Sequence, residues 1–207
     1  MNTLSLSNWH VFRGERQVLR GVGFDLQGGR CLQVLGDNGS GKTTLLRSIA
    51  GLVPREAGEL RWCGAVPTDE GQFHADLGYL GHDPPLKADL DARENLAFAL
   101  RVRRPVVAGE IDAALARVGA QAYADRPVRT LSAGQRRRIA FAALLCFRVP
   151  LWLLDEPTTN LDAAGIALLR ELMDECLARG GLVVTATHQD LGLDPRRLDR
   201  LALAVLR

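Results

Sequence analysis

The fold class of this chain is decided by the stretch Gly36-Asp37-Asn38-Gly39-Ser40-Gly41-Lys42-Thr43. A short apolar segment, Cys31–Leu35, precedes it, and a helix-forming segment, Lys42–Ala50, continues from it. Glycines let backbone N–H groups converge on phosphate oxygens, and the start of a helix adds partial positive charge. A G-x-x-x-x-G-K-[ST] pattern between a strand and a helix therefore predicts a phosphate-binding loop (the P-loop, residues 36–43) rather than a chance glycine-rich turn.

The residue types of the P-loop predict how it would hold a nucleoside triphosphate and its magnesium ion. Lys42 is expected to reach the β- and γ-phosphates, and the Thr43 hydroxyl is expected to ligate Mg²⁺. The loop backbone and the first turn of the helix are expected to supply the other phosphate contacts. These contacts are expected from Gly36, Asp37, Asn38, Gly39, Ser40, Gly41 and Thr44.

A second apolar segment, Leu151–Leu154, ends in Asp155-Glu156-Pro157. A carboxylate that leaves a buried strand beside a P-loop is well placed to hold Mg²⁺, so Asp155 is predicted to be the metal-binding carboxylate. Glu156 is predicted to polarise the attacking water as the catalytic base. An isolated Asp-Glu-Pro after a core strand is commonly a surface turn, but the P-loop upstream favours the catalytic interpretation.

Strand and helix signals alternate along the chain, which predicts an α/β domain with a largely parallel sheet. The remaining strands are predicted at Leu77–Leu80, Leu182–Thr187 and Leu201–Leu206, and a long amphipathic helix at Ala163–Arg179. Helix signals dominate between about residues 83 and 147, with helices predicted at Ala92–Val102, Glu110–Val118 and Gly134–Phe147. Asp91 and Glu94 predict a capping box at the first of these helices. We therefore expect a helical subdomain at about 83–147, inserted in the α/β core.

The bulk composition narrows the compartment and the partners. Of the 207 residues 47% are apolar and 24% are charged, and the net charge of +2 does not indicate a nucleic-acid partner. The four cysteines are scattered without a CxxC pair, which predicts buried, reduced thiols and a reducing compartment. The first eight residues lack the apolar core of a signal peptide. No segment approaches the about 20 apolar residues of a bilayer span, so any membrane role is expected to act through a partner.

The segment Leu131-Ser132-Ala133-Gly134-Gln135 resembles the LSGGQ signature of ABC-type ATPases. On its own, Ser-Ala-Gly before a helix would be an ordinary helix cap. Together with the P-loop and Asp155-Glu156 downstream it is specific, and the resemblance covers nearly the whole chain. It implies one ABC-type nucleotide-binding domain over residues 1–207: a P-loop NTPase with a RecA-like parallel sheet, an N-terminal antiparallel β part and a helical insert.

The resemblance also implies how ATP would be enclosed. In this family the signature contacts the γ-phosphate of ATP held by a second copy, so Ser132, Gly134 and Gln135 are expected to complete the partner's site. Two copies would then close as a homodimer over two ATP molecules. Asn160-Leu161-Asp162 resembles the family's D-loop at the dimer interface, although a simple helix cap would also explain these residues.

Two further site residues follow from the resemblance. His188 matches the histidine that contacts the γ-phosphate, and it joins Glu156 and Lys42 as the expected catalytic residues. Phe12, or alternatively Trp9, is expected to stack on adenine, while a core position is equally compatible with either aromatic residue.

The chain departs from the family pattern in two places. His82 stands where relatives carry the lid-loop glutamine, and Ala143 stands where many relatives carry an arginine after the signature. A histidine can still bridge water to Mg²⁺ or face the partner copy, so His82 remains an expected nucleotide-site residue. Its protonation would make that contact sensitive to pH.

Within the family the chain resembles the ATP-binding subunits of haem exporters in bacterial cytochrome c biogenesis. The resemblance is carried by Gly81-His82-Asp83-Pro84, by Leu90–Leu96, by the alanine in the signature and by Thr187–Leu191. It implies a peripheral ATPase on the cytoplasmic face of the inner membrane, docked on integral membrane subunits. Haem would be handled by those partners and not by this chain.

Three alternatives share parts of this pattern. An ATPase of another ABC exporter or importer, for a peptide, lipid or drug, would share every catalytic residue. A soluble ABC ATPase that acts on the ribosome or on DNA usually carries two ATPase units or a long coiled coil, with basic stretches for the phosphate backbone. The basic run Arg136–Arg138 lies beside the signature, where we expect it to be solvated or to face the nucleotide. A P-loop kinase has no use for residues 131–135.

Overall fold

The computed structural model describes residues 1–206, without the side chain of Glu70, and the chain divides into two compact units. The first unit contains Met1–Tyr79, Val149–Pro157 and the chain from Arg170 onward. The second unit contains Leu80–Arg148 and Thr158–Leu169. Within residues 1–206 no helix has both the length and the apolar character that a membrane span requires.

The strands are β1 (Thr3–Arg13), β2 (Arg16–Gln27), β3 (Cys31–Leu35), β4 (Ala57–Trp62), β5 (Leu77–Leu80), β6 (Leu151–Asp155), β7 (Leu182–Ala186) and β8 (Leu198–Ala202). The helices are α1 (Lys42–Ile49), α2 (Glu70–Ala75), α3 (Ala92–Arg101), α4 (Glu110–Arg117), α5 (Ala133–Phe147) and α6 (Ala163–Ala178). Short 3₁₀ turns lie at Gln121–Tyr123, Val128–Thr130 and Pro195–Arg197. The predicted α/β class is confirmed.

The first unit contains an antiparallel and a parallel sheet that share one core. The antiparallel sheet has the strand order β2-β1-β4 and is the predicted N-terminal β part. The other sheet has the order β5-β6-β7-β3-β8, and its ladders from β6 to β8 are parallel. Leu4 and Trp9 of β1 belong to the same buried cluster as Val34 of β3 and Leu45 of α1. Because this core is closely packed, the parallel sheet holds the starting points of the loops that follow its strands in fixed positions.

The last strand differs from its predicted position. Residues 201–206 were expected to form it because they are apolar, but β8 is Leu198–Ala202. It pairs along the whole of β3, from Cys31 with Leu198 to Leu35 with Ala202. Arg30, just before β3, forms a bidentate ion pair with Asp199 of β8. Pairing with β3 and the ion pair between Arg30 and Asp199 therefore determine where β8 begins and ends. The apolar character of residues 201–206 does not.

The second unit is built around α3, α4 and α5. The predicted capping box of α3 is confirmed, since the Asp91 side chain accepts from the Glu94 N–H and the Glu94 side chain accepts from the Asp91 N–H. The predicted helix over 110–118 ends one residue earlier as α4, with Gly109 at its N-cap in the left-handed region. Ile139, Phe141 and Leu144 of α5 are buried, and α5 contacts both α3 and α4.

An ion pair between the half-buried Arg104 and the buried Glu110 anchors α4 within the second unit. Arg104 donates to both carboxylate oxygens of Glu110, at 2.9 and 2.7 Å, and also to the Cys146 carbonyl at 2.6 Å. The Val107 N–H donates to Glu110 Oε1 at 2.6 Å. The Arg104 hydrogen bonds, and next the Val107 N–H, lower the pKa of Glu110 to about 2.

Glu110→Gln should therefore lower the melting temperature by several degrees at pH 7. The carboxamide is uncharged and has a single acceptor oxygen, so it cannot accept both hydrogen bonds from the Arg104 guanidinium. The folded-state pKa is depressed, so the stabilisation is present above the ordinary glutamate pKa. It is lost as pH falls from about 4.5 toward about 2. Thermal unfolding of both proteins at pH 7 and pH 3 measures this effect, since pH 3 lies inside that window. The exposed Glu59, which pairs with Arg61, offers the control Glu59→Gln with little change. A gap between wild type and Glu110→Gln that stays constant with pH would contradict the assignment.

The cysteines are all free, but one differs from its predicted location. Cys31, Cys146 and Cys176 are buried, and burial raises the pKa of Cys146 and of Cys176 to about 11. These thiols therefore stay protonated and unreactive. Cys63 is exposed, because it stands in the turn after β4 with φ of 53°. The prediction of buried thiols is wrong for this residue.

Candidate nucleotide site

Three neighbouring strands end side by side in the first unit, and each is followed by predicted site residues. In the parallel ladders Val34 of β3 lies opposite Ala186 of β7, and Ala186 lies opposite Asp155 of β6. The P-loop follows β3, Glu156 follows β6, and His188 stands two residues beyond β7. The carboxyl edge of a parallel sheet is where α/β proteins bind ligands. The strand order thus gathers the P-loop, the two carboxylates and the histidine along one edge.

The P-loop has the predicted strand–loop–helix context, with β3 ending at Leu35 and α1 starting at Lys42. The Lys42 ammonium bridges the loop, donating to the Gly36 carbonyl at 2.6 Å and to the Asp37 carbonyl at 3.1 Å. Lys42 is only 8% exposed. The loop itself therefore holds the positive charge over its own interior, where a phosphate group would enter.

The start of α1 is open to an anion. Its N-cap is Gly41, no side chain caps the helix, and its first turn contains no acidic residue. Such a helix start leaves N–H groups without intrahelical partners, which favours negative charge. Ser40 is a buried residue of the P-loop, and its hydroxyl is without a hydrogen-bond partner in the described part of the chain. Both features fit a phosphate.

Gly41 is also required by the packing of β2 against the P-loop. A Cβ at this position would lie 2.8 Å from Leu19 Cδ2 and 3.0 Å from Val18 Cγ1, and the φ of Gly41 is 99°. A Cβ would crowd these two β2 side chains, and any residue with a side chain would strain the backbone at this φ. The antiparallel sheet therefore supports the P-loop from one side.

Thr43 and Asp155, the two predicted magnesium ligands, lie in direct contact. The Thr43 hydroxyl donates to Asp155 Oδ1 at 3.0 Å, and Asp155 is buried. Over residues 1–206, with Glu70 left aside, no group of three or more His, Cys, Asp or Glu side chains gathers into a metal cage. Mg²⁺ does not need such a cage, because it commonly takes one or two protein oxygens together with substrate phosphates and water. The hydroxyl and the carboxylate fit this donor set.

Glu156 has a strained backbone. Its φ is 45°, in the left-handed region that disfavours a residue with a side chain. Its N–H donates to the Ala186 carbonyl at 2.8 Å, which ties it to the end of β7. Strain of this kind costs about 1–3 kcal/mol and is concentrated at functional sites. This conformation turns the chain abruptly after the buried Asp155.

His188 is exposed and stands in a turn that two side chains stabilise. Thr187 Oγ1 accepts from the Gln189 N–H at 3.2 Å. The Gln33 side chain, from within β3, donates to the Thr187 carbonyl at 3.3 Å and to the Gln189 carbonyl at 3.2 Å. Sequence reasoning missed Gln33, although its position as the one uncharged polar residue inside the apolar run Cys31–Leu35 was a signal.

The signature segment begins α5 in the second unit. Ser132 is the N-cap of this helix: its side chain accepts from the Gln135 N–H at 3.2 Å. The Ser132 N–H in turn donates to Gln135 Oε1 at 2.9 Å, so the two residues form a capping box. The predicted cap is present, and the Gln135 side chain takes part in it. Ser132 itself remains exposed.

Packing within the second unit explains why residue 134 is a glycine. A Cβ on Gly134 would lie 2.9 Å from the Asn160 carbonyl, so the signature and residues 160–162 touch at this point. Arg138 reaches Asp162 at 3.7 Å between charged atoms. The signature helix and the D-loop-like segment therefore form one packed element of the second unit.

His82 is exposed, with 61% of its side chain accessible, and its Nδ1 lies 3.5 Å from Asp83 Oδ1. The backbone just before it is held from α5, because Arg137 donates to the Gly81 carbonyl at 2.7 Å. Arg137 is buried. The run Arg136–Arg138 was predicted to be solvated or to face nucleotide, and this is wrong for Arg137.

The two aromatic residues considered for adenine are in different environments. Trp9 is fully buried, and its indole N–H donates to Ser48 Oγ at 2.9 Å. It is therefore a core residue that cannot stack on a ligand. Phe12 lies near the end of β1, opposite Gln17, and is 39% exposed. Phe12 stays the predicted adenine contact.

Comparisons with known proteins agree with this geometry. A family model described as ABC transporter matches residues 19–159. The cytochrome c biogenesis ATP-binding export protein CcmA of Vibrio cholerae is 42% identical, over 97% of this chain and 98% of the relative. The protein of the same name from Methylococcus capsulatus is 46% identical, over 86% of this chain and 87% of the relative. The predicted resemblance is confirmed.

Solved structures show the same fold. A putative ABC transporter ATP-binding protein from Pyrococcus furiosus superposes with a TM-score of 0.82 at 22% identity, over 96% of this chain and 97% of that one. The protein cbiO1 from Clostridium perfringens, part of the ABC transporter complex cbiONQ, superposes with a TM-score of 0.79 at 25% identity, over 99% and 86% of the two chains. The sequence matches and the edge of the parallel sheet together show that the chain belongs to the ABC transporter family, as one of its ATP-hydrolysing subunits.

Proposed function

We propose that this ATPase serves the assembly of c-type cytochromes, where its ATP turnover drives the export or transfer of haem, or the release of a haem-loaded chaperone. The observation that carries the proposal is the identity of 42% to a CcmA protein over 97% of this chain. A match confined to the P-loop and the carboxylates would support ATP hydrolysis but not a role in cytochrome assembly.

In the proposed site the P-loop binds the phosphates of ATP. Lys42, already held over the loop by the Gly36 and Asp37 carbonyls, would exchange these contacts for the β- and γ-phosphates. The open start of α1 and the Ser40 hydroxyl would supply further donors. Phe12 would contact the adenine ring.

Thr43 and Asp155 are the residues that would hold Mg²⁺. Bound there, the cation would neutralise charge that develops on the transferred phosphoryl group. The hydrogen bond between Thr43 and Asp155 keeps both oxygens together before the cation arrives, so little rearrangement is needed.

Glu156 and His188 are the proposed catalytic side chains at this edge. Glu156 would accept a proton from the attacking water, and its strained backbone fixes where the carboxylate leaves the sheet. His188 would donate a hydrogen bond to the γ-phosphate. Positioning and charge neutralisation would supply most of the rate acceleration.

We further propose that two copies of the chain close head to tail over two ATP molecules. Ser132 and Gly134 of one copy would face the γ-phosphate bound by the P-loop of the other. The exposed position of Ser132, at the start of a capped helix, supports this role. Gln135 would act indirectly in this arrangement, since its side chain completes the capping box of that helix.

The proposed complex includes integral membrane subunits, with the ATPase bound peripherally on the cytoplasmic side of the inner membrane. Haem would pass through those subunits and not through this chain. His82 is proposed to take the place of the family's lid-loop glutamine near the nucleotide, and its exposed ring next to Asp83 is compatible with such a contact.

A deletion strain tests the cytochrome assignment. Loss of the gene should abolish covalently attached haem in c-type cytochromes, while other haem proteins keep their cofactor. The wild-type chain should restore the c-type cytochromes, and the Lys42→Ala variant should not. Haem staining of membrane proteins after denaturing electrophoresis provides the measurement.

Copurification separates this proposal from an ATPase of another transporter. The Glu156→Gln variant, purified with ATP from solubilised membranes, should retain integral membrane subunits whose own deletion also removes c-type cytochromes. Normal c-type cytochromes in the deletion strain, with loss of transport of a peptide or lipid, would overturn the cytochrome role and leave the ATPase assignment in place.

A further inference from the structure

We propose that Gln33 is a positioning residue for His188, holding the turn that presents this histidine at the edge of the sheet. The inference rests on the proposed contact of His188 with the γ-phosphate. Gln33 touches no predicted ligand atom itself; it acts on hydrolysis only through the backbone on either side of His188.

Gln33 occupies an unusual place for a polar side chain. It is the central residue of β3, a strand whose other members are hydrophobic, and it is only 6% exposed. A buried carboxamide is costly unless its donors find acceptors. In the described part of the chain, both hydrogen bonds that its side chain donates go to the turn around His188.

The two acceptors flank His188 in the chain. The ladder between β3 and β7 ends at the pair Val34 and Ala186, so the carbonyls beyond this point have no strand partner on that side. Gln33 Nε2 donates to the carbonyls of Thr187 and Gln189, at 3.3 and 3.2 Å. The Gln33 amide group therefore holds the backbone on both sides of His188.

The exposed His188 ring depends on this turn for its placement. A further side-chain contact within the turn is the hydrogen bond from the Gln189 N–H to Thr187 Oγ1. The P-loop begins at Gly36, directly after β3, so the strand that leads into the P-loop also carries the side chain that holds the His188 turn. A single rigid strand thereby sets the position of His188 relative to the P-loop.

The test uses Gln33→Met, which keeps the length of the side chain and removes its donors. We expect amide hydrogen exchange over residues 187–190 to speed up, and kcat for ATP hydrolysis to fall roughly ten- to hundredfold with KM little changed. Thr185 supplies a matched control, because it lies directly opposite Gln33 on β7 and its buried hydroxyl has no partner in the described part of the chain. Thr185→Val should change neither the exchange nor kcat.

A double-mutant cycle with His188→Ala decides whether Gln33 acts through the histidine. If it does, the double variant hydrolyses ATP no more slowly than His188→Ala alone. Additive losses, or unchanged exchange over 187–190 in Gln33→Met, overturn the inference while the proposed site stands. A native rate in His188→Ala instead overturns the proposed role of His188, and the role of Gln33 falls with it.

Discussion

Replacing Glu156 with Gln is expected to leave ATP binding intact and to slow hydrolysis by about 10² to 10⁴-fold, the usual contribution of a general base. The carboxamide keeps the size of the side chain but cannot accept a proton from water. The P-loop, Lys42 and the pair of Thr43 with Asp155 are untouched by the change, so nucleotide affinity should remain.

The measurement combines ATP binding at equilibrium with steady-state phosphate release. Glu171→Gln makes the same chemical change on the exposed face of α6 and serves as the control with native turnover. Hydrolysis at the native rate by Glu156→Gln would show that another group activates the water. Glu156→Gly separates strain from chemistry, because it relieves the left-handed backbone and also removes the carboxylate. The Glu156→Gly variant should not hydrolyse ATP, yet its melting temperature should be no lower than that of wild type.

Local sequence was enough to predict the backbone features that carry much of the candidate site. The P-loop, the carboxylates after β6 and the cap of α5 are contiguous patterns, and each depends on backbone features that short segments determine. The strands Cys31–Leu35 and Leu77–Leu80 occur at their predicted bounds for the same reason. Their flanking Gly36 and Pro84-Pro85 end the apolar runs clearly.

The features that sequence reasoning missed depend on contacts between distant residues. The bounds of β8 follow from pairing with the short β3 and from the ion pair of Arg30 with Asp199. Arg137 looked like part of a solvated charge run, but a carbonyl far away in sequence, that of Gly81, accepts from it in the interior. Gln33 is satisfied only by a turn that follows a different strand. No local pattern encodes such partners.

Mixing two inactive variants should restore ATP hydrolysis if each site is built from two copies. Lys42→Ala removes the ammonium that would bind the phosphates, so it should bind ATP weakly and hydrolyse none. Ser132→Asp keeps the cap of α5, because aspartate caps a helix as well as serine does, but it brings a negative charge toward the partner's γ-phosphate. Each variant alone is therefore expected to fold and to be inactive.

A hybrid dimer of these variants contains one intact site, formed by the P-loop of the Ser132→Asp copy and the signature of the Lys42→Ala copy. Random pairing in equal amounts should give about a quarter of the wild-type rate if the two sites of the symmetric dimer act independently. The control replaces the Ser132→Asp copy with a chain that carries both substitutions, and this mixture should stay inactive because no complete site can form. Hybrid dimers that assemble, as crosslinking would detect, and still hydrolyse no ATP would contradict the proposal that a second copy completes the site.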